Sequence, residues 1–550
     1  MSSFGIKITQ TLFKRRIRRA ARTVLNEFSS ANLSKQQELE KKVRSLAAPN
    51  ESCLTLGEME SGFPVSIPLS KLISHSLVVG TTGAGKSYVT LLLLEHALQQ
   101  FLTGKYVPIG ILDAKGELAT MAVEYIQAFA CRLDQEMRER LRKRVLIIDF
   151  SKSDLITPYN ILSCHGAHKE LLVNNRIETI GQLYHGTSVL TARMKSILKY
   201  VMLLLVENEL PITMFEKLCS DTTLIKRLAD KTTDKRLRYY FANRYSKEPQ
   251  GTLLGLRQRI DSLFVSDGVR LSLSTHSAPD FQQLQDEGHF VIINVAGPQI
   301  SRGTSEFLLR IILHDIQQSI FRRQKPEQRF LWCLDEAQVL YKNQSSREAM
   351  NDLLSMARSF GSYFMLLTQS LTSAVRDVDI LNSVLANIRW ALMFRSTLRD
   401  AKILAPALPV TGSKLSVKRH PLDKQKLLTK EQELNLLMEE ITHFPERIGY
   451  LWLRSELPRA FKVRTRDLAS VEKIAGCSKE KLAQFSQKHP IGNLIPRRQI
   501  ETELNKMESL LEKEKEESSH DVASNSAKAQ ESNDMIRFLK ERYAKKMGTK

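Results

Sequence analysis

The sequence predicts an α/β protein built on a mostly parallel sheet, and three observations carry that expectation. Short apolar runs of strand length recur along the chain, with helical stretches separating many of them. A glycine-rich octet stands where one such run gives way to a leucine-rich helix. A long middle segment loses its strand signals and becomes helical throughout.

The elements follow in order. Residues 1–50 carry eleven Lys and Arg against three Glu, with Lys14, Arg15, Arg16, Arg18, Arg19 and Arg22 packed together. Ile6, Leu12, Phe13 and Ile17 are interspersed, which gives a basic amphipathic arm. Such an arm can lie on an anionic membrane, track a phosphate backbone or simply be solvated. From about residue 51 strands are expected at 76–80, 109–113, 145–149, 290–295, 330–335, 363–368 and 388–394. Between about 166 and 285 helical runs such as 194–210 and 253–264 imply an all-helical insertion in the α/β core. Segments 448–454 and 460–464 flank Leu457-Pro458 and read as a hairpin. Beyond about 500 the chain is charged and poor in aromatics, so 512–534 is expected to be disordered and 535–543 to form a short amphipathic helix. The expected organisation is a basic helical arm (1–50), a first part of the core (51–165), the insertion (166–285), a second part of the core (286–470) and a charged, partly disordered tail (471–550).

The octet Gly80-Thr81-Thr82-Gly83-Ala84-Gly85-Lys86-Ser87 matches the phosphate-loop pattern without a substitution. Its glycines let successive N–H groups and the following helix N-terminus face a polyphosphate. Lys86 would reach the β- and γ-phosphates of ATP, and the Ser87 hydroxyl would ligate Mg²⁺. A second acidic motif is needed for metal and water. The run from Phe330 to Leu334 ends in Asp335-Glu336, which supplies it. Asp335 is expected to hold Mg²⁺, and Glu336 to act as general base on the attacking water. A third apolar strand ends in Thr368-Gln369, and an amide at that strand end can sense the γ-phosphate. Arg358 is a candidate arginine finger, with Arg395 as its rival.

Lys and Arg outnumber Asp and Glu by 81 to 60, a net charge of +21, which points to a polyanionic partner such as nucleic acid or an acidic membrane face. The six cysteines are scattered without a CxxC pair, which fits a reducing compartment and offers no zinc framework. Cys164, His165 and His168 lie close in sequence but read as a loop. No apolar run approaches the length of a membrane span, and no signal-peptide core is present. The cytoplasm, or the cytoplasmic face of the inner membrane through residues 1–25, is the expected location.

Taken together these residues resemble the HerA/FtsK superfamily of P-loop motors, and within it the TraD/TraG-type coupling ATPases of conjugative type IV secretion systems. The resemblance rests on His75-Ser76-Leu77-Val78-Val79 entering the phosphate loop, and on Asp113-Ala114-Lys115-Gly116-Glu117, similar to the family's Asp-Pro-Lys-Gly-Glu with alanine for proline. It also rests on Asp335-Glu336, on Ala357-Arg358-Ser359-Phe360-Gly361, on Gln369, and on Gly251-Thr252 near the end of the helical domain. It spans about residues 55–465 and implies a RecA-like core, a ring that is usually a hexamer, and DNA threaded through the pore. It further implies Arg358 as a finger acting on a neighbouring subunit and Gln369 as a sensor. Typical coupling proteins begin with transmembrane helices, whereas this chain begins with a basic arm.

The function expected is therefore an ATP-driven DNA translocase feeding a conjugative secretion channel, with channel or relaxosome proteins as partners. The alternatives are a HerA-like translocase working with a nuclease in end processing or phage defence, and a slow nucleotide-switched adaptor for secreted cargo. An enzyme of small-molecule metabolism would explain neither the charge nor the helical insertion.

Overall fold

The computed structural model describes the chain apart from residues 1–35, 47–50, 184–188, 265, 342–343, 371, 373–377, 406–407, 411–427, 458 and 518–550. The expectations for the arm around Lys14–Arg22 and for 535–543 fall outside the described residues, as does most of 512–534. The described strands are β1 (Cys53–Glu58), β2 (Pro64–Pro68), β3 (Ser76–Val79), β4 (Ile109–Asp113), β5 (Val145–Asp149), β6 (Leu155–Ile156) and β7 (Phe290–Asn294). They continue with β8 (Phe330–Leu334), β9 (Ser362–Thr368), β10 (Trp390–Met393), β11 (Ile448–Leu453), β12 (Phe461–Thr465) and β13 (Ile495–Pro496). The chain divides into two compact units. One holds the described residues up to Leu93 with Thr368–Ser373 and Ile388–Leu468, and the other holds the rest.

In the first unit the strand order is β2-β1-β12-β11-β10-β3. Only β3 and β10 run parallel, with Trp390 beside Ser76 and Met393 beside Val79. The remaining neighbours are antiparallel, and β11 with β12 forms a hairpin in which Tyr450 faces Lys462. β3 is buried at all four residues, as expected of a strand covered on both faces. Trp390 fills the space at its start, and its indole N–H donates to the Leu72 carbonyl at 3.0 Å.

The second unit holds a wholly parallel sheet in the order β9-β8-β4-β7-β5. β4, β7 and β8 are buried throughout, which is why each reads as a continuous apolar run rather than an alternating one. Gly110 of β4 lies beside Trp332 of β8, and a Cβ there would come within 2.3 Å of the indole ring. The indole N–H donates to Gln285 Oε1 at 3.2 Å, and the same oxygen accepts the Ser362 hydroxyl at 2.8 Å. Arg323 joins this buried network, donating to Asp286 Oδ1 at 2.9 Å and Ser362 Oγ at 3.1 Å. Polar groups buried at the strand starts are thus paired, as a dry core requires.

Between β6 and β7 the described residues form helices and short 3₁₀ turns. Helix Ala192–Glu207 starts where Thr191 accepts the Met194 N–H, and it buries Ile197, Leu198, Val201, Met202 and Leu205 on one face. Helix Thr222–Lys231 is capped by Asp221, which accepts from Thr223 and Leu224. The segment after β12 returns to this unit. Ala475 and Leu482 pack on Ala128 of helix Glu117–Cys131. Ile495 of β13 joins Ile156, Leu271 and Ile500 in a second cluster. Asn493 Oδ1 accepts the Ile147 N–H at 3.3 Å, which occupies a backbone donor of β5, a strand whose ladder partner in this sheet is β7.

Two buried histidines make this unit acid-sensitive. Burial first, and then Arg144, depresses His289 from an ordinary 6.5 to about 4. Burial first, and then Arg176, does the same for His314. The unfolded chain therefore binds protons more tightly than the folded one below the ordinary value. The stability contributed is complete above about pH 6.5 and is lost as pH falls toward 4, on the order of 3 kcal/mol per histidine. Melting temperature measured across that window should fall steeply in the wild type. A His289→Gln, His314→Gln double variant should show a flatter profile, and an equally steep one would place the acid sensitivity elsewhere.

Candidate functional site

The phosphate loop belongs to the first unit. β3 delivers Gly80, whose N–H donates to the Thr368 carbonyl at 3.1 Å, and Thr81, whose N–H donates to the Arg395 carbonyl at 2.7 Å. Thr82 and Gly83 are exposed, while Ala84, Gly85 and Lys86 are buried. Gly85 has φ +116°, a conformation that residues with a Cβ rarely adopt, and a Cβ there would sit 3.2 Å from Arg447 Cγ. The Lys86 ammonium donates to the carbonyls of Gly80 at 2.7 Å and Thr81 at 3.2 Å. Helix Lys86–Phe101 begins at this lysine, so the N–H groups of its first turn and its dipole lie at the loop. Leu91 to Leu94 are buried on every side of that helix, which anchors the loop from behind.

Gln369 stands beside this loop, at the end of a segment whose Thr368 carbonyl receives Gly80. The residues after it are tied down by Asp400, which is fully buried. Asp400 Oδ1 accepts Ser370 Oγ at 3.1 Å, Thr372 N–H at 2.9 Å and Thr372 Oγ1 at 3.0 Å. Its other oxygen accepts Thr397 Oγ1 at 2.8 Å. Arg395 is half-buried and its Nε donates to Thr81 Oγ1 at 3.3 Å, so this arginine attends the phosphate loop of its own chain.

The second unit carries the acidic half. Asp335 extends β8 by donating its N–H to the Leu112 carbonyl at 2.9 Å, and it is 8 % exposed. Glu336 is 6 % exposed and has φ +55°, a strained backbone for a residue with a side chain. One of its carboxylate oxygens pairs with the Lys115 ammonium, and the other accepts the Gln338 amide. Lys115 is aimed by its own loop. Asp113 Oδ1 accepts the Lys115 N–H at 2.7 Å, and Oδ2 accepts the Ala119 N–H at 2.9 Å. Gly116, at φ +87°, turns the chain where a Cβ would lie 3.0 Å from Asn294 Oδ1. Asn294 Nδ2 in turn donates to Asp149 Oδ1 at 2.9 Å.

Four parallel strands of this unit therefore end in polar residues on one edge: Asp149, Asn294, Asp113 and Asp335. The C-terminal edge of a parallel sheet is where such folds bind ligands. Asp149 and Asn294 were not among the sequence candidates, although each closes an apolar run as Asp335 does. Arg358 is not on that edge. It is exposed in the 3₁₀ turn Ala357–Phe360 that leads into β9, beside the starts of the parallel strands. Among the described residues no group of three or more His, Cys, Asp or Glu is arranged to hold a metal ion.

Residues 54–316 match the family model described as the central domain of helicase HerA. No curated protein sequence matches the chain. Among solved structures, the chain is similar to the plasmid coupling protein TrwB in complex with ADP and Mg²⁺, at 16 % identity, 79 % of this chain, 94 % of that chain and a TM-score of 0.44. It is also similar to VirB4 of Thermoanaerobacter pseudethanolicus, at 14 % identity, 77 % of this chain, 98 % of that chain and a TM-score of 0.46.

Proposed function

We propose that the chain is a P-loop ATPase of the HerA/FtsK type, whose HerA central domain spans residues 54–316, and that it hydrolyses ATP to translocate DNA toward a conjugative type IV secretion channel. The observation that carries the hydrolytic part is Glu336, buried and held on both carboxylate oxygens at the end of β8. A nucleotide switch can dispense with a catalytic base; a motor cannot. In this reading the N–H groups of Gly80–Ser87 and the Lys86 ammonium hold the ATP phosphates. Ser87 and Asp335 hold Mg²⁺, which offsets charge on those phosphates. Glu336 takes the proton of the attacking water, Gln369 senses the γ-phosphate, and Arg358 serves a neighbouring subunit of a ring, as a hexamer would provide.

The net charge of +21 supports a DNA substrate, because basic groups that neutralise phosphates release counterions and bind without sequence preference. The motif pattern of Asp113–Glu117, Asp335-Glu336, Arg358 and Gln369 supports the secretion role, with channel or relaxosome proteins as partners. No helix among the described residues is long and apolar enough to cross a membrane. Contact with the inner membrane would then run through residues 1–25 or through partners. The HerA-domain match also fits the alternative, a translocase paired with a nuclease in end processing or phage defence.

Steady-state ATP hydrolysis, with and without single- and double-stranded DNA, tests this function. Turnover should rise strongly with DNA and the stimulation should fade with salt. Six to ten phosphate contacts would cost on the order of 10³–10⁵ in affinity between roughly 50 and 200 mM salt. Preference for one strand form begins to separate secretion from end processing. Tight ATP binding with little turnover and no response to DNA would make the chain a switched adaptor.

A further inference from the structure

Arg447 has no role in the reading so far, yet its backbone is strained beside the phosphate loop. It has φ +63°, one of four residues other than glycine with positive φ among those described. The contacts that hold it there reach the loop directly. Its N–H donates to the Ala84 carbonyl at 2.9 Å, and its carbonyl accepts the Thr465 N–H at 2.9 Å. Its Cγ lies where a Cβ on Gly85 would be 3.2 Å away, so the loop glycine and this side chain are fitted to each other. The guanidinium continues past the loop to the ring of Tyr88, with Cζ 5.5 Å from the ring centroid, and pairs with Asp467 on its outer side. Tyr88 follows Ser87 directly and is 39 % exposed, although the helix it belongs to is otherwise largely buried.

We propose that Tyr88 and Arg447 form the seat for the purine base of the bound nucleoside triphosphate. This rests on the nucleotide reading of the phosphate loop and adds which surface takes the nucleoside. With the terminal phosphates at Lys86 and Ser87, the rest of the polyphosphate follows the N–H groups at the helix N-terminus. The nucleoside therefore leaves the loop over Tyr88. There it meets an exposed aromatic ring with a guanidinium 5.5 Å from the ring centroid, two groups on whose faces a purine can stack. Asp467 pairs with the guanidinium from outside and helps hold it beside the ring before the base arrives. The strained backbone at Arg447 serves to pass the stem over Gly85 toward Tyr88.

The test is binding, measured by calorimetric titration of the full chain with Mg-ATP and, separately, with magnesium tripolyphosphate, which has the phosphates and no nucleoside. Tyr88→Leu removes an exposed ring, and Arg447→Met removes the guanidinium while retaining a stem over Gly85. Each should weaken ATP by about tenfold and leave tripolyphosphate affinity unchanged, whereas Tyr88→Phe should bind ATP as the wild type does. ATP affinity unaffected by both changes would overturn the seat. Equal loss for ATP and tripolyphosphate would overturn it too, making Arg447 a brace for the loop. A wild-type chain that binds neither compound would overturn the nucleotide reading itself, and the seat with it. Tyr88→Leu keeps the comparison decisive if Arg447→Met does not fold.

Discussion

Glu336→Gln is expected to lower ATP turnover by about 10²–10⁴-fold while leaving ATP binding essentially intact. The amide is nearly isosteric with the carboxylate and cannot accept the proton of the attacking water. Its oxygen can still accept from Lys115, and a turn of the Gln338 amide lets that residue's oxygen accept from the new NH2, so the site needs only that adjustment. The substitution also preserves the side-chain demand of a backbone held at φ +55°. Lys86→Ala should behave differently. It removes the ammonium that spans the loop carbonyls of Gly80 and Thr81, and with it a charge-assisted contact to the phosphates, so binding and turnover fall together. Nucleotide titration and turnover on the same two variants separate a base from a binding residue. Turnover near the wild-type rate in Glu336→Gln would place the base elsewhere.

The contrast between those two residues shows what could be read from the chain. Strands such as β4 and β8 are legible because a strand buried on both faces is a continuous apolar run, and its polar last residue marks the ligand edge. The phosphate loop is legible because its glycines answer backbone demands that few other residues meet, as at Gly85. β1 and β2, with their mixed burial, gave no such run and went unread, although the β11–β12 hairpin of the same antiparallel sheet was expected. The partners of the site residues were hidden for another reason. Lys115 reaches Glu336, Asp400 holds the segment after Gln369, and Arg447 meets Ala84 only because distant stretches of chain are brought together. No local spacing encodes those meetings. Local pattern alone did not separate Arg358 from Arg395, since one precedes and the other follows an apolar strand; only the family resemblance favoured Arg358. The fold distinguishes them by edge: Arg395 touches Thr81, and Arg358 stands at the strand starts.

That placement sets the second expected result. Arg358→Ala alone should reduce turnover by about 10³–10⁵-fold, and mixing it with Lys86→Ala chains should restore part of the activity. β8 and β9 are parallel and paired from Phe330 with Ser362 to Leu334 with Leu366. Asp335 and Glu336 follow the end of β8, whereas Arg358 precedes the start of β9. Five residues at about 3.3 Å each put roughly 17 Å between those edges, beyond the reach of one arginine side chain. Arg358 cannot attend the acidic pair of its own chain, so a catalytic role requires another subunit. Its segment is firm enough for that role. Arg323 Nη1 donates to the Phe360 carbonyl and the Phe330 N–H to the Gly361 carbonyl, each at 2.9 Å. In the proposed ring, an interface is competent when an intact Lys86 on one chain meets an intact Arg358 on the next. Equal mixing of the two inactive variants creates such pairings at about a quarter of the interfaces. Recovered ATP turnover in the mixture, absent from either variant alone, would show the arginine acting across subunits. If the mixture stays as inactive as its parts after subunit exchange, Arg358 is not the finger, and its exposure at the strand starts has another purpose.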